Sequence, residues 1–389
     1  MRISEIVIDE FTYQLEDVGT DRGRQVFEPG SSAKPSGFIL TIRTEDGSEG
    51  QYRGFMLTPP MLSQIRMAAS EFLLGRDPLK REEIWQDLWK AFRTTDHLGV
   101  GPIDIALWDL AGKHYGASVS ELLGGFRDTV PAYASTYMGD TATDGLSSPE
   151  AYADFAEECL NRGYAAFKIH PFGDANRDVE LVTAVGNRVG DKMDLMLDPA
   201  NEYQTYADAL KVGRALDEQE FFWYEDPLAD AGESLHCARR LVNRLNTPLL
   251  GGEHARTGPS GMANMLSQDV FEFIRGDAHF DGGITGVMKQ AHIAESFGVD
   301  IELHVGGPSH LHCMSAIRNT NYFEHGLLHP EVEWMANQGF TSDVETINAN
   351  GEIAVPTGDG LGVDVDWEFV EENRTGRSVI DESGASGLA

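Results

Sequence analysis

Leu195-Met196-Leu197-Asp198-Pro199-Ala200-Asn201 is a short apolar run that ends in an acid, and the chain repeats the pattern twice more. The repeats are Phe221-Phe222-Trp223-Tyr224-Glu225-Asp226-Pro227 and Pro248-Leu249-Leu250-Gly251-Gly252-Glu253-His254. The acids at 198, 225 and 253 stand 27 and 28 residues apart. A parallel strand reaches its neighbour only through a crossover, usually a helix, and one such unit takes roughly 30 residues. The spacing therefore predicts Asp198, Glu225 and Glu253 at equivalent ends of three adjacent parallel strands, where their oxygens can converge on one hard cation. Oxygen ligands without thiolate suit Mg2+. A lone acid after a strand is commonly a helix cap or a solvated loop residue. Three in phase, each behind a buried-looking run, point to a site.

Outward from these runs the same texture continues. Strand candidates fall at 130–135, 165–170, 194–198, 222–225, 248–253, 273–277, 300–304 and 321–324. Helical spacing fills 150–161, 206–218, 234–245 and 287–297 between them. Eight strands alternating with helices predict an α/β fold with a closed parallel barrel over 126–328. An open doubly wound sheet would not give units of such even length.

Upstream, 3–15, 38–43 and 51–56 read as antiparallel strands, and 59–74 and 79–93 as helices. The Gly-, Ser- and Pro-rich 18–37 reads as a long mobile loop. Residues 1–125 thus form a separate α+β unit. Its last long helix, Gly99 to Gly116, opens at Pro102 and alternates small with large apolar residues, which suits tight packing on another domain. Beyond Glu324 the repeat stops. Residues 329–375 read as an excursion with short return strands at 352–356 and 361–364, and the small, polar 376–389 as a flexible tail.

At 389 residues the chain exceeds one ordinary domain and suits a barrel with a smaller companion. Its charge is extreme: 63 acidic against 30 basic residues, only 8 of them Lys, for a net of −33. Such a surface repels nucleic acid and anionic membranes. It strains the fold by self-repulsion unless salt screens it, which we read as adaptation to a salty cytoplasm. Cys159, Cys237 and Cys313 are odd in number and far apart, as expected of reduced thiols in a cytoplasmic protein. The first ten residues carry acids within their apolar pattern, unlike a signal peptide. No run of about 18 apolar residues suggests a membrane span.

In a barrel of this kind, chemistry sits at the C-terminal strand ends. Those ends read Lys168 and His170, Asp198, Glu225, Glu253, Asp277, His304 and Glu324, an almost wholly ionisable series. Lys168 and His170 alternate, so both face the same side of one strand. Asp277 and His304 end adjacent strands, and an Asp beside a His fixes its tautomer and raises its basicity. His310 and His312 fall on the following helix and are expected to be structural.

These residues, with Pro102 to Lys113, Leu122-Leu123-Gly124-Gly125 and Leu361-Gly362-Val363-Asp364, resemble the enolase superfamily, mandelate racemase-like subgroup, over nearly the full length. The resemblance implies a (β/α)7β TIM-like barrel capped by an α+β domain built from both termini. It implies Mg2+ on Asp198, Glu225 and Glu253, holding a substrate carboxylate while the α proton leaves through a metal-stabilised enediolate. His304, held by Asp277, is then the base or acid on one face. A protonated Glu324 donates to the second enediolate oxygen, and Lys168 adds positive charge. One departure stands out: many relatives carry Lys-x-Lys on the second strand, and here His170 takes the second place. His170 suits either a second base or an acid for a leaving hydroxide. Asn201 is a candidate substrate contact, as are Arg22, Arg24 and Lys34 in the N-terminal loop.

The expected function is a sugar-acid dehydratase, taking an aldonate or aldarate to a 2-keto-3-deoxy acid. The alternatives are a racemase, epimerase or cycloisomerase using the same chemistry, or a non-catalytic binding protein on the same fold. The expected partners are a small-molecule carboxylate and further copies of the chain in a homo-oligomer, with neither nucleic acid nor membrane.

Overall fold

The computed structural model describes residues 1–21, 24–230, 235–255, 258–332, 339–341 and 344–388. The chain opens with antiparallel strands β1 (Ile3–Thr12), β2 (Leu15–Asp21), β3 (Arg24–Ala33), β4 (Ser36–Thr44) and β5 (Glu49–Gly54). Helices α1 (Thr58–Ala68), α2 (Arg81–Ala91), α3 (Val100–Tyr115) and α4 (Val119–Leu123) follow. Strands and helices then alternate: β6 (Thr129–Thr136), α5 (Pro149–Arg162), β7 (Ala166–Ile169), α6 (Ala175–Val189), β8 (Asp194–Leu197) and α7 (Tyr206–Glu218). The series continues with β9 (Trp223–Glu225), α8 (Leu235–Val242), β10 (Leu249–Gly251), α9 (Gly258–Leu266), β11 (Phe273–Gly276), α10 (Gly283–Phe297), β12 (Asp300–Leu303), α11 (Pro308–Ala316) and β13 (Phe323–Leu328). The chain ends with β14 (Glu352–Ala354), α12 (Trp367–Glu372), β15 (Arg374–Asp381) and β16 (Gly384–Leu388).

The alternating part forms a curled parallel sheet of order β12-β11-β10-β9-β8-β7-β6-β13. Side chains tie its two ends together. Asn321 N–H donates to Glu302 Oε1 (3.1 Å), and Val305 N–H donates to Glu324 Oε2 (2.8 Å). Strands buried on both faces read as continuous apolar runs, so residues alternate between the helical layer and the interior. Tyr133, Ala166, Met196, Trp223, Leu250 and Phe273 make one interior layer. Two residues further along five of these strands come Ser135, Lys168, Asp198, Glu225 and Arg275. A strand's period of two thus stacks a charged layer on an apolar floor.

Helix α3 bridges the two parts. A Cβ at Gly50 of β5 would lie 2.1 Å from Ala106 O, and one at Gly101 would lie 2.3 Å from His279 O. Small residues at the contact let α3 lie close to both β5 and the loop after β11. Asp104 of α3 accepts hydrogen bonds from Thr285 N and Oγ1 of α10 at 2.8 and 2.7 Å. No helix among the described residues is long and apolar enough to cross a membrane.

Three sequence expectations change. Residues 18–37, expected as a loop, contain most of the β2–β3 hairpin, with Val18 opposite Phe27; Arg22 lies outside the described residues. The expected flexible tail is instead the outer part of the N-terminal sheet, of order β16-β15-β1-β4-β5. Buried Asp9 of β1 explains that attachment, because Arg374 Nε and Arg377 Nη1 of β15 meet it at 2.9 and 3.0 Å. Of the two expected return strands, the one at 352–354 pairs antiparallel with β6. Residues 361–364 form no strand.

Candidate metal and acid–base site

Asp198, Glu225 and Glu253 each present an oxygen, and the three atoms lie within 4.8 Å of one another. Asp198 follows β8, Glu225 ends β9, and Glu253 lies just past β10. Gly252 adopts φ 102°, a conformation that favours glycine, and there the chain turns to present Glu253. Glu253 N–H donates to Asp226 Oδ2 (3.1 Å), and Ala200 N–H to Asp198 Oδ1 (2.8 Å), which fixes both loops. Burial pushes the Glu225 carboxyl up, and the like charges of Asp198 and Glu253 add to it against Arg275 and Lys168. A divalent cation relieves such crowding, and an all-carboxylate donor set fits a hard ion.

Lys168 lies beneath this triad. Its Nζ is 2.7 Å from Glu324 Oε1, 3.1 Å from Asp198 Oδ2 and 3.3 Å from Glu225 Oε2. Burial lowers its pKa, but Glu225, Glu324 and Asp198 outweigh that and hold the ammonium well above its usual range. These contacts hold Lys168 as an ammonium. Glu324 is surrounded by donors. It accepts from Lys168, from Ser135 Oγ (2.8 Å) and from Val305 N–H (2.8 Å). Against burial, Lys168, Arg275 and His304 hold it well below the usual carboxylate range. These partners favour its ionised form over the proton donor that the resemblance implies.

Two imidazoles flank the triad. His304 Nδ1 meets Asp277 Oδ2 at 2.8 Å, and its Nε2 faces Glu253 Oε1 at 3.4 Å. Burial lowers His304, but Glu253 and Asp277 prevail and raise it to about 9. Asp277, held down against its burial by its hydrogen bond from His304 and by the neighbouring imidazoles, stays ionised. On the other side, His170 Nδ1 donates to Thr136 O (2.7 Å), which turns Nε2 toward Asp198 Oδ2 (3.1 Å). The residues at 168, 170, 198, 225, 253, 277, 304 and 324 thus meet in one region.

Other candidates lie elsewhere. Asn201 Nδ2 bonds Asp226 O and Leu228 O at 3.1 and 3.0 Å, tying two loops together. Arg24 pairs with Glu202 (3.4 Å) in the loop after β8. Lys34 is exposed just past β3. His312 accepts from Ser120 N–H and donates to Leu361 O, as a structural histidine does. His310 accepts Ala278 N–H at Nε2 (2.9 Å) and donates from Nδ1 to Val305 O (2.5 Å), so it braces the loop that carries Asp277. Asp277, His279 and His310 also cluster, but the His310 Nε2 lone pair is already committed.

Sequence reading missed Arg275 and Glu302. Arg275 grips Glu225 with Nε on Oε1 (2.7 Å) and Nη2 on Oε2 (2.5 Å). The buried Glu302 carboxylate accepts from Asn321 and Tyr322 N–H groups at the β12–β13 junction. The signal was available, because each lies two residues before a strand-end site residue, Asp277 or His304.

Residues 25–124 match the mandelate racemase / muconate lactonizing enzyme N-terminal domain, and residues 151–369 match the enolase C-terminal domain-like family. The chain belongs to the enolase superfamily, in its mandelate racemase-like subgroup. It is 31% identical to D-galactarolactone cycloisomerase of Agrobacterium fabrum, across 86% of this chain and 90% of the relative. It is 28% identical to D-gluconate dehydratase of Thermoproteus tenax, across 91% and 73%. The crystal structure of D-glucarate dehydratase from Agrobacterium tumefaciens complexed with magnesium superposes at TM-score 0.87. Identity there is 32%, across 96% of this chain and 99% of that one.

Proposed function

We propose that this chain is a Mg2+-dependent sugar-acid dehydratase acting on an aldonate or aldarate. The observation that carries the reading is the Asp277–His304 pair, whose Nε2 stands 3.4 Å from Glu253 of the carboxylate triad. Asp198, Glu225 and Glu253 would hold the ion. A magnesium ion there supplies positive charge where the substrate carboxylate gains electron density as its α proton leaves. In its neutral form His304 takes that proton at Nε2, with Asp277 stabilising the imidazolium that results. The C–O bond at the β carbon breaks, and the departing hydroxide takes a proton from His304 or His170 and leaves as water. The remaining enol tautomerises to the 2-keto-3-deoxy acid. Lys168, fixed among three carboxylates, contributes charge, and His170 is the base on the β7 side.

The dehydratase named among the relatives supports this reading. The cycloisomerase relative favours a second one through the same centre. A library of aldonates, aldarates and their lactones separates the two: keto-acid formation supports dehydration, and isomerised product without keto acid rejects it. A melting point unmoved by EDTA and then Mg2+ would favour a non-catalytic protein. We further infer a (β/α)7β barrel over 126–328, on the seven strand–helix units before β13, with 1–125 and 329–375 as its cap. We also infer a halophilic protein, on the net charge of −33.

A further inference from the structure

Arg275 takes no part in the proton transfers above. Its guanidinium is fully buried on β11, two residues before Asp277. Besides its two-pronged bond to Glu225, Nη1 reaches Leu303 O and both Nη atoms reach Tyr133 Oη, each at 3.4 Å. Nη2 also lies 4.0 Å from Glu324 Oε2. Arg275 thus occupies one side of both oxygens of a carboxylate assigned to the metal. Each carboxylate oxygen has two acceptor sites, so Glu225 can still face a cation.

Arg275 also changes the local charge. Asp198, Glu225, Glu253 and Glu324 bring four negative charges when ionised. Lys168 and Arg275 bring two positive ones, and both are held charged by those acids. Among these six groups, two negative charges are left over, which match a single divalent ion.

We propose that Arg275 is a resident cation of the metal centre: it positions Glu225 and holds down the centre's affinity for a divalent ion. The proposal rests on Asp198, Glu225 and Glu253 being that centre. A guanidinium fixed in a low-dielectric interior repels an incoming cation strongly, and salt screens buried charges far less than exposed ones. Losing Arg275 removes that repulsion. It costs Glu225 only part of its orientation, because Lys168 still holds Oε2 at 3.3 Å.

The test is Mg2+ titration calorimetry on EDTA-stripped parent, Arg275→Met and Arg275→Lys, with melting curves with and without the ion. The parent should bind one Mg2+ per chain. R275M should bind it about tenfold tighter or better, at low salt and at about 2 M KCl alike, and should melt lower when metal-free. R275K keeps the charge, so its affinity should stay within about threefold of the parent. An R275M affinity equal to or weaker than the parent's overturns the proposal. If R275M does not fold without metal, a change beyond about tenfold in R275K overturns it instead. A parent that binds no Mg2+ overturns the metal assignment itself, a result distinct from a parent that binds while R275M is unchanged.

Discussion

Asp277→Asn tests the proposed base through its tautomer. Asp277 Oδ1 accepts the His279 backbone N–H at 2.6 Å, a donor that cannot be turned round. An asparagine must keep its carbonyl there, so its NH2 faces His304 Nδ1, where Asp277 now presents Oδ2 at 2.8 Å. His304 then has its lone pair on Nδ1 and its proton on Nε2, the nitrogen required to accept the α proton. The same change removes one of the charges that hold His304 up to about 9. In a Ser-His-Asp triad the equivalent substitution lowers kcat by about 10⁴. Here Glu253 still faces Nε2 at 3.4 Å, so we expect a loss of about 10³, or about 4 kcal/mol of barrier. The assay is keto-acid formation on whichever sugar acid turns over, paired with ¹⁵N spectra of the imidazole, which read the tautomer without substrate. A variant within about tenfold of the parent, or one whose spectrum still places the proton on Nδ1, refutes the reasoning.

Lys168→Met leaves buried Asp198, Glu225 and Glu324 short of their shared cation. We expect it to cost the metal-free protein about 3–5 kcal/mol, less once Mg2+ is added, as read by urea unfolding. Burial pushes Asp104 up to about 7 although Thr285 donates to it twice. A carboxyl raised above its unfolded value contributes its full stability at low pH and loses it as pH rises through the folded pKa. Relative to Asp104→Asn, the native chain should therefore lose up to about 4 kcal/mol between about pH 4 and pH 8, with unfolding curves at each pH as the check. Burial pushes the Cys159 thiol up to about 12 and raises Cys313 likewise, while Cys237 is half-buried. A thiol reagent on the native protein should thus label Cys237 alone, and the other two only after unfolding. The excess of acid predicts a melting point that rises as KCl goes from about 0.1 M to about 2 M, and a falling one rejects the halophilic reading.

The sequence alone determined the periodic features. Acids 27 and 28 residues apart, each behind an apolar run, placed Asp198, Glu225 and Glu253 on successive strands. Spacing along one chain fixes which strand end a residue occupies, and alternation fixes which face, so Lys168 with His170 and Asp277 with His304 were legible. Only the tertiary structure decided which side chains share a hydrogen bond across the sheet. It gave Glu225 to Arg275, surrounded Glu324 with donors that favour its ionised form, and committed His310 and His312 to backbone groups. It also decided that β15 closes on β1, where Asp9 draws two arginines from more than 360 residues away in sequence. Charge pairing depends on distances of a few ångströms between strands, which register and closure set, and no local pattern in the chain encodes those distances.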